Sequence, residues 1–138
     1  MQSRKPGGKI SSTSMPAVTA NSATERLTNG VIQSKLQGNL IGPAIVQMHR
    51  EITVFLRDDG PKIWCVDGTG VTGFDATGIV EPTGILFKDL KDRGFTVVGV
   101  IPGSPLRMMY STLCLGAGIR HRFFDTAFEA DSFIKSLL

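Results

Sequence analysis

The sequence is poor in the residues that make metal sites, disulfide frameworks and membrane spans. It has only two cysteines, Cys65 and Cys114, and two histidines among 138 residues. The cysteines show no CxxC spacing and no neighbouring histidine pair, so we expect free buried thiols and no metal site. No apolar run approaches the roughly 20 residues that a membrane helix needs, so we expect no membrane insertion. No apolar stretch follows the basic N-terminus, which predicts a cytoplasmic protein without a secretory signal.

Acidic residues are missing from the first 24 positions, and this absence accounts for the net charge of +3. Arg4, Lys5 and Lys9 supply the whole excess, whereas the rest of the chain is balanced. The first 22 residues are rich in Ser, Gly, Pro and Thr, so we predict a disordered basic tail over residues 1–22. Three charges in such a tail are typical of a solubilising segment, and we do not expect nucleic-acid binding.

Hydrophobic periodicity predicts a single α/β domain over residues 23–138. Asn29-Gly30 indicates a tight hairpin between the first two strands, because both residue types tolerate positive φ. Segments with apolar residues at helical spacing then alternate with short buried runs such as residues 63–66 and 95–101. We therefore expect a mixed sheet, made of an N-terminal hairpin followed by alternating helix and strand, with about four helices.

Three glycines have the spacing of a dinucleotide-binding fingerprint. Gly68, Gly70 and Gly73 form GxGxxG between a predicted strand and a predicted helix. In that motif the third glycine lies inside the helix, whereas here all three precede the expected N-cap, Asp75. The next strand, residues 95–101, also ends without the carboxylate that would hold the ribose. A nucleotide-binding enzyme is therefore the alternative from another class, and we expect a non-enzyme without a cofactor.

The same stretch resembles the signature of STAS domains, which occur in anti-sigma-factor antagonists and sulfate transporters. Residues 67–78 read DGTGVTGFDATG, with an acidic strand end, a small-residue turn, an aromatic residue, and Asp-Ala-Thr-Gly where the family has Asp-Ser-Ser/Thr-Gly opening a helix. The likeness covers most of residues 23–138 and includes LQGNL at 36–40, KDRG at 91–94 and FFDT at 123–126. The order and spacing of these pieces carry the resemblance.

The resemblance implies a four-helix, mixed-sheet domain that works by binding other proteins. In antagonists, the hydroxyl residue directly after the Asp is phosphorylated by a partner kinase that is also the anti-sigma factor. This chain has Ala76 at that position, and the neighbouring Thr77 is displaced by about 100° around the helix. It also has Ile41 where antagonists commonly carry an acidic residue. We therefore expect the standard phospho-switch to be absent or moved to Thr77, the candidate phosphorylation site.

The predicted interface combines the loop after the second strand, the 67–78 loop and the exposed side of the second helix. Its partner-binding residues are Gly38, Asn39, Ile41, Asp67, Thr69, Asp75, Ala76, Thr77, Gly78 and Glu81. The expected partner is an anti-sigma factor, a signalling kinase or a transporter ATPase, and a homodimer is an open alternative. A scaffold or transporter-associated subunit that never switches is the alternative among binding proteins.

Four residues have a structural interpretation beside the functional one. Asp67 either binds a cation or a partner's basic group, or is satisfied by turn amides. Asp75 is expected to cap the second helix, which is worth roughly 1 kcal/mol. Pro82 falls inside that helix, so the helix either starts late or kinks. His49 lies away from the apolar stripe of the first helix and is interpreted as an ordinary surface residue.

Overall fold

The structure is a computed structural model that describes residues 20–56 and 59–138. The tail predicted over residues 1–22 lies outside the described residues except for its last three, which belong to the first strand. The described residues form five strands and four helices in the order β1 (Ala20–Arg26), β2 (Ile32–Leu40), α1 (Gly42–Phe55), β3 (Ile63–Phe74), α2 (Ala76–Asp92), β4 (Thr96–Val100), α3 (Ser104–Ala117), β5 (His121–Phe124) and α4 (Ala127–Leu137).

The strands form one sheet in the order β1-β2-β3-β4-β5. β1 is antiparallel to β2, and every other neighbouring pair is parallel. The four parallel strands therefore end at the same edge of the sheet, which we call the carboxyl edge, and a helix begins shortly after each of them. The predicted mixed sheet with an N-terminal hairpin and four helices is confirmed.

The hairpin between β1 and β2 turns at Asn29-Gly30, as predicted. Gly30 N donates to Leu27 O at 2.9 Å, and Leu27 N donates to Val31 O at 2.8 Å. Gly30 has a φ of 89°, which a residue with a side chain rarely adopts. Asn29 Oδ1 accepts from Val31 N at 3.1 Å, so the asparagine side chain adds a further hydrogen bond to the turn.

Two hydrophobic cores lie on opposite faces of the sheet. The larger core joins α1, α2 and α3 to one face, and the smaller one joins α4 to the other. In the larger core the Phe87 ring of α2 packs between Trp64 of β3 and Tyr110 of α3, with ring centroids 6.4 Å and 5.6 Å away. α2 is thus anchored at the centre of the helical layer, and its outer side faces solvent.

A partly buried chain of hydrogen bonds fixes the hairpin to the helical layer. Trp64 Nε1 donates to Ser34 Oγ at 3.0 Å, and Thr24 Oγ1 donates to Glu51 Oε1 at 2.9 Å. The two hydroxyls are 2.8 Å apart, and Ser34 is the donor because the proton of Thr24 is already used. Ser22 Oγ also donates to Glu51 Oε1, at 2.9 Å. The chain of donors runs in one direction, because an indole can only donate and a carboxylate can only accept.

The first part of the glycine-rich stretch differs from the prediction. β3 runs to Phe74 and has twelve residues, so the expected 67–78 loop is wrong over residues 67–74. α2 begins at Ala76 and continues through Pro82, so the helix does not start late. Within the part of the chain that the structure describes, none of the helices is both long and apolar enough to span a bilayer.

Candidate functional site

The ends of β2 and β3 bring two groups of predicted residues together at the carboxyl edge. Asn39 pairs with Gly73, and Asp75 N donates to Leu40 O at 2.8 Å, so the start of α2 is tied to the end of β2. Ile41 is the next residue and is the N-cap of α1. The two helices therefore begin side by side, as the predicted interface requires.

Gly38 lies at a bulge near the end of β2. It has a φ of 80°, and the register between β2 and β3 shifts between Gly38 and Asn39. A bulge of this kind changes the direction in which the following side chains point. Asn39 is exposed, and its Oδ1 lies so near Gly73 that a Cβ there would be 3.0 Å from it. A side chain at position 73 would therefore push the Asn39 side chain aside, whereas glycine leaves room for it.

Asp67 and Thr69 form a separate group farther back on β3. Asp67 Oδ1 accepts from the backbone N of Thr69 at 2.9 Å and from its Oγ1 at 2.7 Å. These bonds span a second register shift, where β3 has one residue more than β2. The eight residue steps from Asp67 to Asp75 are mostly extended and separate the two residues by on the order of 20 Å. Asp67 also lies on the α4 face together with Cys65, two residues before it. The structure therefore splits the predicted set in two.

The glycines of the GxGxxG spacing lie within β3 and not in a turn before a helix. A Cβ on Gly70 would be 3.0 Å from both Leu36 O and Gln37 Cγ of β2. This glycine therefore allows β3 to approach β2 closely. In a dinucleotide site the corresponding backbone approaches a pyrophosphate at a helix N-terminus. The geometry gives these glycines a packing role and offers no such turn.

Asp75 takes the N-cap position of α2, but its side chain makes no capping hydrogen bond. The expected capping role is therefore wrong for the side chain. Its Oδ2 lies against the Cα of Gly78, where any Cβ would collide with it. Asp75, Ala76 and Thr77 are all exposed, and no acidic residue follows in the first turn. The positive end of the α2 dipole is thus open to solvent, beside the exposed side chains of Asp75 and Thr77.

α1 and α2 touch through two glycines at their first turns. A Cβ on Gly42 would be 2.8 Å from the carbonyl oxygen of Gly78. Pro82, four residues after Gly78, has no N–H to bond this oxygen in the usual helical way. The proline thus leaves the carbonyl oxygen of Gly78 without its regular helical bond, at the point where α2 touches α1.

An apolar groove lies between α1 and α2, and the sequence alone did not predict it. Its lining is Gly42, Pro43, Val46, Arg50, Glu81, Pro82 and Ile85. Val46 and Ile85 are 40% and 56% exposed although both are aliphatic. We call this feature the α1–α2 groove. Among the predicted residues only Glu81 lines it, since the rest of the lining belongs to helix faces whose neighbours become visible only in the fold.

A second apolar groove follows on the other side of α2. It is lined by Val80, Pro105, Met108, Met109, Thr112 and Leu113. Met108 is 67% exposed, whereas Tyr110 of the same helix is fully buried in the core. Apolar surface therefore extends over the N-terminal halves of all three helices, next to the carboxyl edge. Methionine adapts its shape to different partners, which suits such a surface.

His49 of α1 and Asp89 of α2 form a second link between these helices. His49 Nε2 lies 2.8 Å from Asp89 Oδ2, and Arg93 Nε donates to Asp89 Oδ1 at 2.9 Å. Burial acts to raise the pKa of Asp89, but the bonds to His49 and Arg93 outweigh it and hold this pKa below its ordinary value. The interpretation of His49 as an ordinary surface residue is therefore wrong. Its partner is forty residues away in the sequence, which is why the sequence alone did not indicate it.

We expect the substitution Asp89→Asn to lower stability by less than about 1 kcal/mol at neutral pH, since the pair is partly exposed. A lowered pKa in the folded state stabilises it above the ordinary value of 3.8, and this contribution disappears as pH falls below that value. Urea unfolding of both proteins at pH 7 and pH 3 measures this. A difference between the proteins that grows as pH falls would contradict the assignment.

The titratable groups offer no metal-binding arrangement in the described residues, where no group of three His, Cys, Asp or Glu side chains comes together. Cys65 and Cys114 are both buried, and neither is part of a disulfide. Burial raises the pKa of the Cys65 thiol to about 11 and that of Cys114 to about 12. Both thiols therefore stay protonated near neutral pH and are poor nucleophiles.

Comparison with solved structures identifies the fold. An anti-sigma factor antagonist from Mycobacterium paratuberculosis is 17% identical, with a TM-score of 0.59, over 85% of this chain and 95% of that chain. The anti-sigma factor antagonist SpoIIAA in its unphosphorylated form is 16% identical, with a TM-score of 0.62, over 85% and 98%. The phosphorylated form of the Bacillus SpoIIAA is 15% identical, with a TM-score of 0.59, over 82% and 98%.

No protein-family model matches the chain, and no curated protein matches it either. At these identities the likeness shows the fold alone. The chain therefore has the STAS fold, and the resemblance stated from residues 67–78 is confirmed at that level.

Proposed function

We propose that this chain is a regulatory protein-binding module that works as an anti-sigma-factor antagonist does. Its partner surface comprises the start of α2, with Asp75, Ala76, Thr77, Gly78 and Glu81, the neighbouring Asn39 and Ile41, and the two grooves beside α2. The observation that carries the proposal is the apolar surface over the N-terminal halves of α1, α2 and α3, next to these residues. Large exposed apolar patches on soluble proteins often mark an interaction site.

The partner surface combines apolar and acidic groups. Val46, Ile85 and Met108 are exposed, and Asp75 and Glu81 lie beside them with exposed carboxylates. An apolar centre with charged groups around it is the usual arrangement of a transient protein interface. We infer a partner with an apolar ridge and basic residues around it, of the class of an anti-sigma factor, a signalling kinase or a transporter ATPase. Asp67, Thr69 and Gly38 lie outside the centre of this surface.

Phosphorylation at Thr77 would act on the same surface. The hydroxyl is exposed in the first turn of α2, where the helix dipole favours an added anion. Asp75 is two residues before it, and Glu81 is one turn after it on the same helix face, so a phosphate would create a strongly negative cluster. We propose that Thr77 is the modification site in place of Ala76, and that phosphate there strengthens binding of the basic partner inferred above.

We expect the substitution Ile85→Asp to reduce partner binding about 30-fold or more, because a charge would replace an apolar contact of about 2 kcal/mol. The partner is obtained by affinity capture with the full chain from its source cells, identified by mass spectrometry, and its affinity is measured with purified proteins. The same spectra show whether Thr77 carries phosphate. Stability should change by less than about 0.5 kcal/mol, since Ile85 is exposed.

Leu115→Asp is the matched control, because Leu115 is 73% exposed on α3 and lines neither groove. It should bind the partner as the unchanged chain does. Equal losses of partner affinity in the two variants would contradict the assignment of the partner surface. Capture of a bound nucleotide and no protein would favour the nucleotide-binding alternative, and a constitutive complex without phosphate on Thr77 would favour the non-switching scaffold.

A further inference from the structure

The chain enters the described domain at the carboxyl edge. Ala20, the first residue of β1, pairs with Gly38 near the end of β2. Because β1 is antiparallel to β2, the residues before Ala20 leave the domain where the partner surface lies. β1 also lies beside α1, since Ser22 and Thr24 both donate to Glu51. The exit point is therefore next to the helix that forms one wall of the α1–α2 groove.

The residues just before this exit are chemically suited to that groove. Residues 15–18 read Met-Pro-Ala-Val, an apolar run that follows a polar Ser/Thr-rich stretch. Five residues of extended chain span roughly 17 Å, and an α-helix with its side chains is about 10 Å wide. The run is thus long enough to pass over α1 and reach the exposed Val46 and Ile85.

The charges on the two sides are also complementary. Residues 1–19 carry three cations and no carboxylate, whereas the rest of the chain is balanced. At the carboxyl edge, Asp75 and Glu81 are exposed, and Glu81 lines the groove itself. Arg50 of α1 also lines the groove, so a basic segment placed there meets two carboxylates against one fixed cation.

We propose that residues 1–19 bind within the same molecule to the α1–α2 groove and compete with the protein partner for it. Residues 15–18 pass over α1 so that Met15 covers Val46 and Ile85, and the basic residues lie against Asp75 and Glu81. The consequence for the partner rests on the proposed function, but the contact itself does not. Release of the segment would then expose the surface and regulate its availability.

The contact is tested in the full chain with a nitroxide spin label attached at Ser12→Cys. Cys65 and Cys114 are buried, so the new thiol is the one that reacts. We expect strong paramagnetic broadening of the amide signals of Val46, Glu81 and Ile85, and no effect at Lys135 of α4. Broadening confined to residues around Ala20 and Gly38 would overturn the proposal.

Two variants and one mixing experiment make this test specific. Ile85→Asp should abolish the broadening in the groove, and Leu115→Asp should leave it unchanged. Equal broadening in both variants would show that the groove is not the binding site. Mixing a spin-labelled, isotope-free chain with an unlabelled, ¹⁵N-enriched chain detects contacts between copies. Broadening in this mixture would place the segment on a second copy and refute the intramolecular contact.

Partner binding then separates the two proposals. If the segment covers nine molecules in ten, its release raises the apparent affinity for the partner about tenfold. The double variant Met15→Ser, Val18→Ser of the full chain should show this gain. If groove signals are broadened but no protein partner is found, the contact of residues 1–19 is upheld and only the proposed partner binding fails. If the partner binds the unchanged chain and the double variant equally, and no broadening is seen in the groove, the partner surface is upheld and the contact of residues 1–19 is rejected.

Discussion

Replacing Phe87 by alanine is expected to lower the free energy of unfolding by about 3–5 kcal/mol, the range for large core aromatics. Phe87 is fully buried on α2, and its ring packs against Trp64 and Tyr110. Its removal deletes two aromatic contacts and leaves a cavity that three helices would have to fill. Domains of this size have only about 5–15 kcal/mol of stability, so the loss is a large share of the total. Urea unfolding followed by tryptophan fluorescence measures it.

Phe128→Ala provides the matched control for this prediction. Phe128 is 79% exposed in the first turn of α4, so the same substitution should change stability by less than about 0.5 kcal/mol. A loss for Phe87→Ala no larger than that of the control would show that the ring does not hold α2 to the sheet. The partner surface on the outer side of α2 would then lack the support that the core gives it.

Local signals were sufficient to predict most of the fold. The Asn29-Gly30 turn depends on two residues that tolerate positive φ, and Gly30 adopts it. The alternation of helix and strand follows from the spacing of apolar residues within each segment, so each element is predictable from its own residues. The length of β3 could not be predicted this way, because its last seven residues contain Gly68, Gly70 and Gly73. Glycine weakens a strand by itself, and pairing with β2 across two register shifts is what keeps this segment extended.

The candidate site was predictable only where its residues are close in sequence or follow a family pattern. The start of α2 was found from the Asp-Ala-Thr-Gly run, and the end of β2 from its Gly-x-Leu-like ending. Asp67 and Asp75 belong to one motif but lie far apart, because the residues between them are extended. The α1–α2 groove and the His49–Asp89 link were not predicted, since both depend on pairs of residues forty or so positions apart that meet through the fold.

The glycine pair that joins α1 to α2 leads to the second prediction with a large effect. Gly42→Ala should destabilise the protein by about 1–3 kcal/mol, the usual cost of overpacking. The new Cβ would lie 2.8 Å from Gly78 O, and a backbone oxygen inside a helix cannot rotate away as a side chain can. The two helix starts must separate, and the α1–α2 groove would widen at the end where the partner surface begins.

Gly84→Ala is the matched control, and its effect should have the opposite sign. A Cβ on Gly84 meets nothing within 4 Å, and this residue lies in the interior of α2. Alanine there should raise stability by about 0.5–1 kcal/mol, because it favours the helix more than glycine does. Urea unfolding of the two variants gives both signs in one experiment. If Gly42→Ala also stabilised the protein, the helices could adjust without cost, and the contact would not define the groove. If Gly42→Ala is destabilised as expected, it should also lose affinity for the partner, whereas Gly84→Ala should keep it, because only the first change moves the walls of the groove.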